Sequence, residues 1–161
     1  MDKDEFARSG QSDDLRPLTA EGVEEMRDVA RGLRAQVKTL DLVAASPLVR
    51  AVQTAEIVAE AYGIEVGETT TSLSPDAQME EFEKWCGGLG AKKVVAIVGH
   101  EPQLSTLVTW LLTGLDDSRV ELKKGGACLL EFDAEVRRKS GILGWLQTAR
   151  QIAAASSEGK G

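Results

Sequence analysis

The run from Asp41 to Ala61 restricts the fold more than any other part of the chain. Leu42-Val43-Ala44-Ala45 is short and apolar on both faces, as a strand covered by helices on both sides should be. Ser46 and Pro47 then end it. Proline has no N–H for a ladder but suits the first turn of a helix, and Ser46 before it is a natural N-cap. The helix that follows uses Leu48, Ala51, Val52, Ala55, Ile57, Val58 and Ala59 and stops near Gly63. Arg50 is thereby expected in its opening turn, at the C-terminal edge of a sheet, beside unbonded backbone N–H groups and the positive end of the helix dipole. An α/β protein binds anions at such a place. The alternative reading of Arg50 is a solvated surface arginine.

A second stretch has the same form. Val94-Val95-Ala96-Ile97-Val98 leads through Gly99-His100-Glu101-Pro102 into another proline-started helix, whose apolar side is Leu104, Leu107, Val108, Leu111 and Leu112, ending at Gly114. His100 is the single histidine of the chain. A lone histidine is commonly structural or merely exposed, but this one stands at a strand end after a glycine expected to allow a sharp turn. Two strand ends thus deliver an arginine and an imidazole to one edge of one sheet.

The rest of the chain supplies the covering layers. Thr19 is a plausible N-cap, with Leu18 before it to staple onto Val23, and Val23, Met26, Ala30, Leu33 and Val37 recur at helical steps. Arg16 lies just upstream, where its loop could fold over the same sheet edge; a surface loop charge is the alternative. Ile64 to Thr71 reads as extended, and Pro75 to Cys86 as a helix closed by Gly87-Gly88, with Met79, Phe82 and Trp85 as core. Strands are expected at Val120–Leu122 and Ala127–Phe132, joined by a Lys123-Lys124-Gly125-Gly126 turn, with an edge strand at Ile142–Leu146 and a helix at Thr148–Ala155. The Gly-Gly pair beside lysines, with no helix after it, is a weak phosphate signal. Met1 to Asp13 reads as loop and Ser156 to Gly161 as a disordered tail. The 161 residues argue for one domain, over residues 1–155.

Composition excludes several classes. A net charge of −7 disfavours nucleic acid or an anionic membrane as partner. No signal peptide or membrane span is evident. Cys86 and Cys128 lack metal-ligand spacing and read as reduced thiols of a cytoplasmic protein.

Ser46-Pro47-Leu48-Val49-Arg50-Ala51-Val52-Gln53-Thr54-Ala55 and Gly99-His100-Glu101-Pro102 resemble two signature motifs of the histidine phosphatase superfamily, the phosphoglycerate-mutase-like fold. Asp14-Leu15-Arg16-Pro17-Leu18-Thr19-Ala20-Glu21-Gly22 is similar to the segment before the first long helix in its small SixA-type branch, the protein phosphohistidine phosphatases. The resemblance implies a three-layer α/β/α sandwich around a mostly parallel sheet. It also implies a first strand ending in Arg-His-Gly, whose histidine is the phosphorylated nucleophile. No such strand or motif precedes Asp14, where Arg8 is followed by Ser9. By resemblance the missing strand lies centrally, between the strands ending at Ser46 and His100, and its absence would leave the chain marginal, oligomeric or rescued by another segment. A start upstream of Met1 is therefore the expectation.

The implied chemistry is two-step phosphoryl transfer without a metal or other cofactor. Arg50 and Arg16 would clamp the phosphoryl oxygens, and His100, the second histidine of the site, would donate a hydrogen bond to the group. Relatives acting on sugar phosphates carry lid insertions, whereas Gly63 to Lys92 has room for little more than one helix. An open cleft suits phosphohistidine on a protein such as a histidine phosphotransfer domain, whose imidazole leaving group has a pKa of about 6.5. The alternatives are a non-catalytic phosphate- or phosphoprotein-binding remnant and a phosphatase of small phosphate monoesters.

Overall fold

The computed structural model describes residues 16–158. The loop expected over Met1 to Asp13 lies outside them. In chain order the elements are α1 (Ala20–Gln36), β1 (Leu42–Ala45), α2 (Val49–Ala61), β2 (Glu68–Thr69), a 3-10 turn (Thr71–Leu73), α3 (Met79–Cys86), β3 (Val95–Val98), α4 (Gln103–Thr113), β4 (Ala127–Phe132), β5 (Gly141–Gln147) and α5 (Ala149–Glu158).

β1, β2 and β3 form a parallel sheet in the order β2-β1-β3, and β4 pairs with β5 as an antiparallel hairpin. β1 is central and wholly buried, which is why its four residues are apolar on both faces. Layers lie on both sides. Ala30 of α1 and Ala51, Ala55, Val58 and Ala59 of α2 pack with Val43 and Ala45, and Ala96 and Val98 of β3 join them. On the other face Phe82 of α3 and Leu107, Trp110 and Leu111 of α4 enclose Leu73, with Ile97, Leu130 and Phe132 packed against them. Alternate residues of β3 therefore serve opposite layers, as the period of two requires.

The expected place of a further strand, between those ending at Ser46 and His100, does not exist. β1 and β3 are direct neighbours, in register from Leu42 opposite Val95 to Ala45 opposite Val98. Among the described residues β3 ends this sheet, and its four residues are half-buried although all are apolar.

Other departures have local causes. Val120–Leu122 is not a strand, and side chains of α4 hold the backbone at its end and just before it: Leu122 N–H donates to Ser105 Oγ (3.1 Å) and Arg119 N–H to Thr109 Oγ1 (3.0 Å). β4 instead finds its partner in β5. α5 continues through Glu158, so Ser156 to Glu158, expected in the tail, are helical. The expected face of α1 is the inward one, with Ala30 buried, Met26 and Leu33 packed on the same cluster, and Glu24, Glu25, Arg27, Asp28 and Arg31 exposed; Gly22, Val29 and Gly32 are buried beside it, Gly32 where α1 meets α5. Thr19 caps α1 as expected, its Oγ1 accepting the Gly22 N–H at 2.9 Å.

Candidate active site

The site is built at the C-terminal ends of β1 and β3. Parallel pairing in register brings both ends to the same edge, and the ladder continues one step further, where Ser46 N–H donates to Val98 O at 3.0 Å. Ser46 is thus held beside Gly99 and His100. The backbone of His100 is fixed from its other side, because its carbonyl accepts the Leu104 N–H at 2.7 Å as α4 begins.

Ser46 does not cap α2 through its side chain. The cap position is Leu48, with no side-chain bond, and the helix starts at Val49. The Ser46 hydroxyl accepts the Leu48 N–H at 3.1 Å and lies 2.6 Å from His100 Nε2. Both residues are buried, Ser46 completely and His100 to 8% exposure. Sequence reasoning missed this pair, because a serine before a proline at a helix start carries the same signal whether it caps or points into the sheet edge.

Gly99 also differs from expectation. It is not among the glycines with positive φ; instead a Cβ there would stand 3.1 Å from Leu104 Cδ2 and 3.3 Å from its Cγ. The glycine lets α4 close down beside the strand end. Glu101 then secures that helix, its carboxylate accepting the Ser105 N–H (3.1 Å) and hydroxyl (2.5 Å).

Arg50 stands in the first turn of α2, half-buried, as the strand–loop–helix pattern requires. Arg16 is also half-buried, and its segment is tied to the same helix, since Leu18 N–H donates to Gln53 Oε1 at 2.7 Å. The structure therefore puts Ser46 and His100 in direct contact and docks the Arg16 segment on the helix that carries Arg50. Lys123 and Lys124 are exposed on a turn after α4, and α3 buries Phe82 in the core.

The site contains no activated thiol. Burial pushes Cys86 up to about 12, with Glu83 adding to it, and pushes Cys128 up to about 11, with Glu101 adding to it. Among the described residues no group of three or more His, Cys, Asp or Glu could hold a metal ion, and no helix is long and apolar enough to cross a membrane.

Comparison with known proteins agrees with this architecture. The sequence profile of the histidine phosphatase superfamily (branch 1) matches residues 5–73, which include Arg16, Ser46 and Arg50. An uncharacterised protein of a Picosynechococcus species is 33% identical over 132 residues, 78% of this chain and 74% of that protein. Phosphohistidine phosphatase SixA of Escherichia coli is 31% identical over 106 residues, 64% of this chain and 66% of that one. A solved structure of the protein histidine phosphatase SixA complexed with tungstate superposes with a TM-score of 0.76 at 23% identity, covering 88% of this chain and 89% of that one. The chain belongs to the histidine phosphatase superfamily. Within it, the chain is similar to the SixA type.

Proposed function

We propose that this chain acts on phosphohistidine carried by another protein, as a phosphohistidine phosphatase of the SixA type. The observation that carries the reading is the convergence of His100 with the Arg50-bearing start of α2 at adjacent C-terminal strand ends. Arg50 and Arg16 hold the phosphoryl oxygens and offset their charge, and His100 donates a hydrogen bond to the group. The Gly63–Lys92 span holds one short strand, one 3-10 turn and the eight-residue α3, and a span this short suits an open cleft that takes a phosphoryl group presented on a protein surface. An imidazole leaving group, with a pKa of about 6.5, needs less acid assistance than an alkoxide.

One observation favours a second reading, phosphoryl binding without turnover. Two-step transfer needs an attacking imidazole, and the one histidine present is already bonded to Ser46. One experiment separates the two. The chain is mixed with a phosphorylated histidine phosphotransfer domain, and both complex formation and released phosphate are followed. Release supports the phosphatase, and a complex without release supports the binding reading. In either case Arg50→Ala should weaken the interaction by roughly ten- to a hundredfold, the worth of a charge-assisted bond. No complex and no release would overturn both.

A further inference from the structure

We infer that Ser46 is a positioning residue that fixes His100 with its ring proton on Nδ1. The argument is an inventory of donors in a closed space. Ser46 is fully buried, so water does not satisfy its hydroxyl. Two polar atoms face that oxygen, the Leu48 N–H at 3.1 Å and His100 Nε2 at 2.6 Å. The backbone N–H can only donate, so Oγ accepts there. A hydroxyl has one proton to give. If Nε2 carried a hydrogen, Oγ would accept twice, and its own proton would have no acceptor among the described residues. If the hydroxyl donates to Nε2, all three groups are satisfied. A neutral imidazole that accepts at Nε2 carries its hydrogen on Nδ1.

The placement is rigid. The backbone of Ser46 is held by its N–H bond to Val98 O (3.0 Å) and that of His100 by the Leu104 N–H on its carbonyl (2.7 Å), and burial of both side chains, at 0% and 8% exposure, restricts their rotation. A serine beside an imidazole can also be a nucleophile with its base. Complete burial argues against that here, because an attacking oxygen needs an open side. The hydroxyl acts instead on the ring, so that any hydrogen bond the neutral ring gives to an oxyanion comes from Nδ1–H. This last step rests on the phosphoryl-site reading above, whereas the assignment of the ring proton does not.

The single histidine makes the test direct, because a long-range proton–nitrogen spectrum of the 15N-labelled full chain reports one imidazole. At a pH where the ring is neutral, the expected result is a protonated Nδ1 and an unprotonated Nε2. Ser46→Ala should shift the ring toward the Nε2–H form, and Ser46→Thr, which keeps the hydroxyl, should retain the wild-type pattern. A protonated Nε2 in the wild-type chain overturns the inference without recourse to any variant, as does an unchanged tautomer in folded Ser46→Ala. Inorganic phosphate titrated into the same samples reads the functional consequence. Binding about tenfold weaker in Ser46→Ala, restored in Ser46→Thr, is expected for one lost orienting bond. Equal affinities would overturn the link to the oxyanion. Failure of the wild-type chain to bind phosphate would instead count against the phosphoryl site, with the tautomer still deciding the role of Ser46.

Discussion

Asp41 guards the entry to the sheet in the way Ser46 guards its exit. Its Oδ2 accepts the N–H groups of Lys93 (2.8 Å) and Val94 (2.9 Å), so one carboxylate ties the start of β1 to the start of β3. The Val94 N–H, followed by that of Lys93, holds its pKa below the ordinary 3.8. The unfolded chain therefore takes up this proton more readily. The stabilisation is complete above the unfolded value and is lost as pH falls through the lower folded one. Asp41→Asn should be less stable than the wild type near neutral pH, and the difference should shrink in acid. Urea midpoints for both proteins at about pH 7 and about pH 3 measure this. A difference that does not change with pH would show that the carboxylate charge contributes nothing there.

At the scale of elements, the contact between α1 and α5 depends on one missing side chain. A Cβ on Gly32 would lie 1.7 Å from Ile152 O and 2.5 Å from its carbonyl carbon, both backbone atoms that a rotamer change does not move. Ile152 is itself completely buried, so the helices meet backbone to backbone at this point. Alanine favours a helix over glycine by about 1 kcal/mol, but the steric cost is larger. Gly32→Ala should therefore destabilise the fold by about 2 kcal/mol net, as read from the urea midpoint. A stabilised variant would mean that α5 shifts freely on α1. The apolar repeat of α1 gave its inward face, where Ala30, Met26 and Leu33 pack, but not this contact: a glycine adds nothing to hydrophobic periodicity, yet it marks the line of closest approach.

For the molecule as a whole, two apolar layers share one short sheet. β3 contributes Ala96 and Val98 to the α1–α2 side and Ile97 to the α3–α4 side, and Ile97 shares its cluster with Leu130 and Phe132 of the hairpin. Loss of either layer strips one face of the same strand, so the layers should unfold together. Of the three tryptophans, Trp85 and Trp110 belong to the α3–α4 side and Trp145 to β5 of the hairpin, while α1, α2 and α5 supply much of the helical signal. Tryptophan fluorescence and far-ultraviolet circular dichroism should therefore give coincident urea transitions. Two separated midpoints would show that the layers open independently and would overturn the single-domain expectation.

The sequence by itself determined the elements whose causes are local. Leu42–Ala45 had to be a covered strand because it is apolar on both faces, Thr19 had to start a helix because its side chain satisfies an amide nearby, and Pro47 had to end a strand. Arg50 in the opening turn of α2 followed from the same grammar. Tertiary structure alone decided what depends on partners far along the chain. It paired β1 directly with β3, took the donors of Arg119 and Leu122 onto α4, and turned the Ser46 hydroxyl from a helix cap into the partner of an imidazole 54 residues away. Local patterns record which groups a residue can satisfy. They do not record which distant group will be brought within 3 Å of it, because that is set by the register of the sheet and the packing of its layers.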